Sequence, residues 1–180
     1  MGKLRHISLL ESPMSLVYTR FMSSIGEITI QANTLGLLGV WFEKHTTQPK
    51  DLGRYCQNDP ILSMTIRQLK EYLSGERQHF DIPIAVVGTD FQLAVWSILR
   101  SIPYGSVWSY QDVANAIGNP KAVRAVGAAN GKNPISIIVP CHRVIGKSGK
   151  LTGYAGGVEN KEKLLVLEKG KALINGKALD

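Results

Sequence analysis

The hydrophobic period of this chain changes at Gly88, and that change bounds what it can fold into. Before it, Val17 to Met22, Gly26 to Gln31 and Leu35 to Glu43 are rich in Val, Ile, Tyr and Phe. They are separated by "SSIG" and "ANTLG", so they predict three strands in an antiparallel meander. "DLGRYCQND" reads as a loop. "NDPILSMTIRQLKEYLSGE" predicts a helix, with Asp59 at its cap, Pro60 in its first turn and Gly75 at its end. Ile61, Thr65, Leu69 and Tyr72, with Leu62, Ile66 and Leu73 beside them, form its apolar face. "HFDIPI" is a short extended piece. After Gly88, Thr89 and Gln92 have capping-box spacing at the head of "TDFQLAVWSILRSIP". Phe91, Val95, Ile98 and Ile102 share one face, and Pro103 stops the helix. The expected class is α+β, with a β-rich part over 1–86 and a mostly helical part over 87–180.

Composition narrows the setting. No apolar run approaches the roughly 20 residues of a membrane span. The patch Ile7 to Leu10, broken by Glu11, is too short for a signal-peptide core. His6 stands where a myristoylation motif starting at Gly2 needs Ser or Thr. The default location is therefore the cytoplasm, or a nucleoid within it. A formal net charge of +7 favours a polyanionic partner. Ordinary solubility charge explains it equally well. Two cysteines, Cys56 and Cys141, make no disulfide framework. With no C-x-x-C and scattered histidines (His6, His45, His79, His142), a structural metal is not expected.

"SYQDVANAIGNPKAVRAVGAANGKNP" has helix-turn-helix spacing: Ser109 to Ile117, the turn "GNP", then Lys121 to Asn130. Two packed core helices have the same pattern. At 100° per residue Val123, Val126 and Gly127 fall on one side of the second helix. Ala122, Ala125, Ala128 and Ala129 fall on the other, with Arg124 at the border. A major-groove reader carries Arg, Asn or Gln on its exposed face. A face of methyl groups permits close approach without reading sequence, which suits a minor groove.

"IVPCHRVIG" places Cys141 after the apolar run "SIIV", which predicts a buried strand ended by Pro140. From these residues alone Cys141 is a structural cysteine or a nucleophile. For the second, a turn after Pro140 must bring His142 round as base, since strand neighbours face opposite ways. Arg143 adds charge, and Glu159, Glu162 and Glu168 are candidate partners for the histidine.

"GTDFQLAVWSILRSIPYG", "SYQDVAN", "IGNPKAVRAVGAANGKNP", "PCHRVIGKSGKLTGYAGG" and "KLLVLE" together resemble the O6-alkylguanine-DNA alkyltransferase family. The similarity runs from about Phe80 to Glu168 and is weak before that, where only the element order fits. It implies a ribonuclease-H-like sheet-and-helix domain over 1–86, supporting a DNA-binding and alkyl-transfer domain over 87–180. Cys141 then falls on the alkyl acceptor, His142 on its base acting through a bridging water, and Glu168 on the carboxylate orienting that base. Asn133 falls on the brace of the cysteine turn and Tyr110 on the proton donor to the leaving guanine. Arg124 falls on the arginine that fills the gap of the flipped nucleotide. Lys121, Ala122, Ala125, Ala128 and Ala129 fall on the DNA-facing helix, and Pro140, Val144, Tyr154 and Ala155 on the substrate pocket. Many relatives have serine at Ala155; the backbone N–H used there survives, and the hydroxyl does not. The resemblance implies no cofactor and no metal. It implies a monomer acting through the minor groove of double-stranded DNA bearing O6-alkylguanine. O4-alkylthymine as substrate and cooperative loading on DNA are left open.

Three rival readings are a lesion binder that transfers nothing, a DNA-binding regulator and a cysteine hydrolase. Retention of Cys141 disfavours the first and the alanine face the second. The third lacks an identifiable oxyanion hole.

Overall fold

The computed structural model describes residues 15–149, 151, 153–169 and the backbone of 173–174 and 177–178. His6 and the patch Ile7 to Leu10 lie outside the described residues. Strands β1 (Val17–Ser23), β2 (Gly26–Asn33) and β3 (Gly36–Phe42) form the expected antiparallel meander. A two-residue strand β4 (Arg54–Tyr55) adds parallel to β1, giving the order β3-β2-β1-β4. This corrects the loop reading of "DLGRYCQND". Two residues carry no period, and what holds them is backbone: Arg54 and Cys56 N–H donate to the Leu16 and Tyr18 carbonyls at 2.9 and 2.8 Å.

Helix α1 (Pro60–Leu73) packs on this sheet. Asp59 caps it by accepting from the Ile61 and Leu62 N–H groups. Its buried face is Leu62, Thr65, Gln68, Leu69 and Tyr72. Gln68 can be buried because both ends of its amide are used by the Asp81 backbone, at 3.1 and 2.9 Å. The extended piece then pairs with β3: Leu37 N–H donates to Pro83 and Ala85 N–H to Leu37.

The remaining helices are α2 (Asp90–Ser101), α3 (Tyr110–Ala116), α4 (Val123–Gly131) and α5 (Val158–Lys169). The Thr89–Gln92 capping box is present, and a second joins Ser109 and Asp112. Helix α4 starts two residues later than expected. Ala122 has φ −84° and ψ 20° and donates to Asn119, so Lys121 belongs to the turn. Short strands β5 (Trp108–Ser109) and β6 (Val144–Ile145) pair in parallel and tie the head of α3 to the segment after Cys141. Strands β7 (Leu173–Ile174) and β8 (Lys177–Ala178) pair antiparallel.

The strand expected over Ser136 to Val139 does not form. Ile138 N–H donates back to Ser136 at 2.8 Å across Ile137, whose φ is +72°. Cys141 N–H donates to Val139 at 2.8 Å across Pro140, at φ −80° and ψ 61°. These are two γ-turns, the first of the rare strained hand. Only Ile135 keeps a ladder position, bridging in parallel to Val40 of β3. Sheet, helices and this coiled segment share one buried core from Val17 to Leu164. Among the described residues no helix is long and apolar enough to cross a membrane.

Candidate active site

The second γ-turn delivers the chain into a 3-10 turn, Cys141–Arg143. That turn supplies what an extended strand could not, since both Cys141 and His142 now face inward, 3% and 0% exposed. Asn133 braces it. Its side-chain N–H groups donate to Cys141 Sγ at 3.0 Å and the Val139 carbonyl at 2.8 Å. Its carbonyl oxygen accepts from Ile135 N–H at 3.0 Å.

Glu168, on the last turn of α5, receives donors from four residues. His142 Nε2 lies 2.8 Å from Oε1, and Tyr72 Oη donates to the same oxygen at 2.5 Å. Arg143 Nη2 reaches Oε1 and Nε reaches Oε2, each at 2.9 Å, while Gly105 N–H donates to Oε2 at 3.2 Å. The third Arg143 nitrogen donates to the Ile102 carbonyl at 2.6 Å. Burial opposes the charge on Glu168, but the donors from His142 and Arg143 outweigh it and bring the carboxyl down to about 2. Because the carboxylate can only accept, His142 Nε2 carries the hydrogen and Nδ1 the lone pair. Nδ1 is buried without a partner among the described residues.

Burial pushes the Cys141 thiol up, against the Asn133 hydrogen bond and the Lys161 charge, which pull it down. Burial likewise lowers His142. Lys161, on α5 and fully buried, donates from Nζ to the Val144 carbonyl at 2.7 Å. Burial lowers it to about 8, partly offset by Cys141. The resting centre is thus a neutral thiol beside a neutral imidazole that a carboxylate orients.

Of the expected pocket residues, Pro140 and Val144 flank the turn and are buried. Tyr154 is buried with its hydroxyl beside Cys141 and Ser136 but in hydrogen-bond geometry with no group among the described residues, and Ala155 is half-buried. Phe42 of β3 seats this loop, its ring centroid 6.2 Å from that of Tyr154. A Cβ on Gly156 would lie 2.3 Å from Phe42 Cδ2, so glycine is required there. Tyr110 opens α3 and rests over Gly127 of α4.

On α4, Arg124, Ala125 and Ala128 are exposed, as is Lys121 before it, and Ala122 is half-buried. Ala129 departs from the expected face. It is only 3% exposed, and its carbonyl accepts from Trp96 Nε1 of α2 at 2.9 Å. Helix α2 covers that edge, so the free alanine stripe is shorter than the helical wheel implies.

Sequence reasoning missed Tyr72 and Lys161, which look like a core residue and a surface charge, and a link from β3. Trp41 Nε1 donates to Thr47 Oγ1, and Thr47 N–H donates to His45 Nδ1. His45 Nε2 therefore carries the hydrogen, 2.9 Å from Ser136 Oγ. Among the described residues no group of three or more His, Cys, Asp or Glu could hold a metal ion.

Comparison with known proteins gives this arrangement its family. Residues 16–86 match the model of the 6-O-methylguanine DNA methyltransferase ribonuclease-like domain, and residues 90–170 match that of its DNA binding domain. The chain is 48% identical to a methylated-DNA–protein-cysteine methyltransferase of Methanosarcina acetivorans, covering 85% of this chain and 98% of the relative. Identity to a Mycobacterium tuberculosis methyltransferase of the same name is 46%, over 86% and 93% of the two chains. Among solved structures, the M. tuberculosis O6-methylguanine methyltransferase superposes with a TM-score of 0.80 at 45% identity, covering 88% and 95%. Its complex with DNA superposes at 0.78 with 45% identity, covering 87% and 94%. Matched in both halves and nearly end to end by these relatives, the chain belongs to the methylated-DNA–protein-cysteine methyltransferase family.

Proposed function

We propose that this protein repairs DNA by moving the alkyl group of O6-alkylguanine to Cys141 Sγ, once per molecule. The observation that carries the residue assignment is the bonded set on the 3-10 turn: Asn133 on the thiol, and Glu168 on His142. An alkyl carbon on guanine O6 is a weak electrophile and needs a thiolate. His142 Nδ1 takes the thiol proton through one bridging water, and Glu168 stabilises the imidazolium that results. As thiolate forms, the Asn133 N–H and the Lys161 charge, already placed to favour it, gain strength. The Sγ–carbon bond forms, the carbon–O6 bond breaks, and Tyr110 protonates the ring so that guanine leaves neutral. The product is an S-alkylcysteine thioether. No second thiol stands beside it to cleave it, since Cys56 follows β4 in the other half of the chain.

DNA is the partner. Residues 87–180 bind it and perform transfer, with 1–86 packed behind. Helix α4 enters the minor groove with Ala125 and Ala128 forward, and Arg124 replaces the extruded nucleotide. The exposure of these three residues supports that placement. The protein acts as a monomer in the cytoplasm, on the nucleoid. The test is transfer of a labelled methyl group from excess O6-methylguanine duplex, followed by intact mass and peptide mapping. Label should plateau at one per protein, on the peptide holding "PCHR". Release beyond the plateau would show turnover and overturn the single-use reading, and a plateau on another peptide would remove Cys141.

A further inference from the structure

The most informative group outside the assigned chemistry is Tyr72. It lies in the last turn of α1 and is fully buried, its ring centroid 5.3 Å from that of Phe80 and 6.0 Å from that of Tyr104. A buried tyrosine needs an acceptor for its hydroxyl, and any carbonyl would serve. Tyr72 instead donates to Glu168 Oε1, the oxygen that His142 holds, and its own oxygen lies 3.5 Å from His142 Nε2. The hydroxyl thus sits against the hydrogen bond that orients the base. We infer that Tyr72 is a positioning residue for alkyl transfer, fixing the Glu168 oxygen that orients His142, so that the N-terminal half takes part in the reaction. This rests on the proposed roles of Cys141 and His142.

The physical effect has a sign. A hydrogen bond donated to a carboxylate disperses its charge and weakens its pull on any other proton. With Tyr72 donating, Glu168 holds the His142 proton less tightly, and His142 stays neutral to lower pH. The other charged or titratable groups facing this pair are Arg143 from the 3-10 turn, Tyr104 before β5, Lys161 on α5 and Cys141 itself. Tyr154 also feels the Glu168 charge. None of these shares Oε1 with His142 except Arg143, through Nη2 at 2.9 Å. Burial and the Glu168 charge push the Tyr72 hydroxyl far up, so it remains a donor throughout.

The experiment measures single-turnover transfer of labelled methyl against pH, from about 5 to about 9, where an imidazole base reports. Tyr72→Phe should move the acid limb to higher pH by about one unit and slow transfer several-fold near that limb. Replacement of Tyr72 by 3,5-difluorotyrosine keeps the ring and strengthens the donor, so it should move the limb to lower pH. Opposite shifts establish the positioning role. Wild-type limbs in both variants, with only the melting temperature changed, would show that Tyr72 merely packs and would overturn the inference. If the phenylalanine variant does not fold, the difluorotyrosine variant decides alone by the same criterion. Wild-type protein that accepts no label would instead refute the proposed function itself.

Discussion

At the scale of single residues, Glu168 bears the most. It accepts from His142, Arg143, Tyr72 and Gly105, and with Arg143 it forms a bidentate buried ion pair. Glu168→Gln keeps the shape, but its amide N–H must face a donor, and the Arg143 charge loses its partner. Unfolding in urea should show a loss of about 3–5 kcal/mol, and transfer should slow without vanishing. A variant as stable as wild type would mean that this pair is not formed in solution. Part of this centre was legible only through the family resemblance, which put Asn133 and Glu168 beside "PCHR"; the residues alone left Glu159, Glu162 and Glu168 all open as partners of the histidine. Arg143 was readable only as nearby charge, because nothing in its neighbours says which carboxylate it faces. Tyr72 was not readable as a site at all. Its position on α1 is a core position by period, and its acceptor lies 96 residues away.

At the scale of elements, the helices and main strands followed their local signals, while the segment that matters most did not. Ser136 to Val139 has the composition of a strand and forms γ-turns. Nothing local foretells an isoleucine at φ +72°. It is held there by surroundings: β3 pairs with Ile135, His45 bonds Ser136, and Asn133 bonds Val139. Strain fixed by packing in this way holds the Cys141 turn rigidly. Helix α4 was placed well by spacing, and its error at Ala129 came from the neighbour α2, which a helical wheel cannot contain. Arg124 is exposed on its free side. Arg124→Ala should therefore lower the transfer rate in duplex DNA at least about tenfold, as loss of a base-flipping aid would. Reaction with free O6-benzylguanine, where the pocket admits it, should change little. Equal losses on both substrates would place Arg124 in folding or in the pocket.

At the scale of the whole molecule, charge and burial set the response to solution conditions. Binding to undamaged duplex should weaken steeply as salt rises, with little preference among sequences, if the +7 chain docks as proposed through α4, whose exposed face offers methyl groups. Strong selection of one unmodified sequence by gel shift would revive a regulatory role. Acid should destabilise the fold in a defined order. His45 is brought by burial from 6.5 to about 4. The unfolded chain thus binds the extra proton first, and the stability from a neutral His45 is complete above about 6.5 and lost as pH falls through about 4. Burial depresses His142 in the same direction. The melting temperature should decline over that window, and His45→Gln should make the decline shallower. An unchanged slope would place His45 in water. The joint held by Tyr72 and Glu168 also orders events in time. A ribosome emits Cys141 before Glu168, and closing a loop of this length comes late in folding. Until α5 docks, the emerging chain carries Cys141 and His142 without the carboxylate that orients the imidazole, so the proposed base is completed by an element made after the thiol.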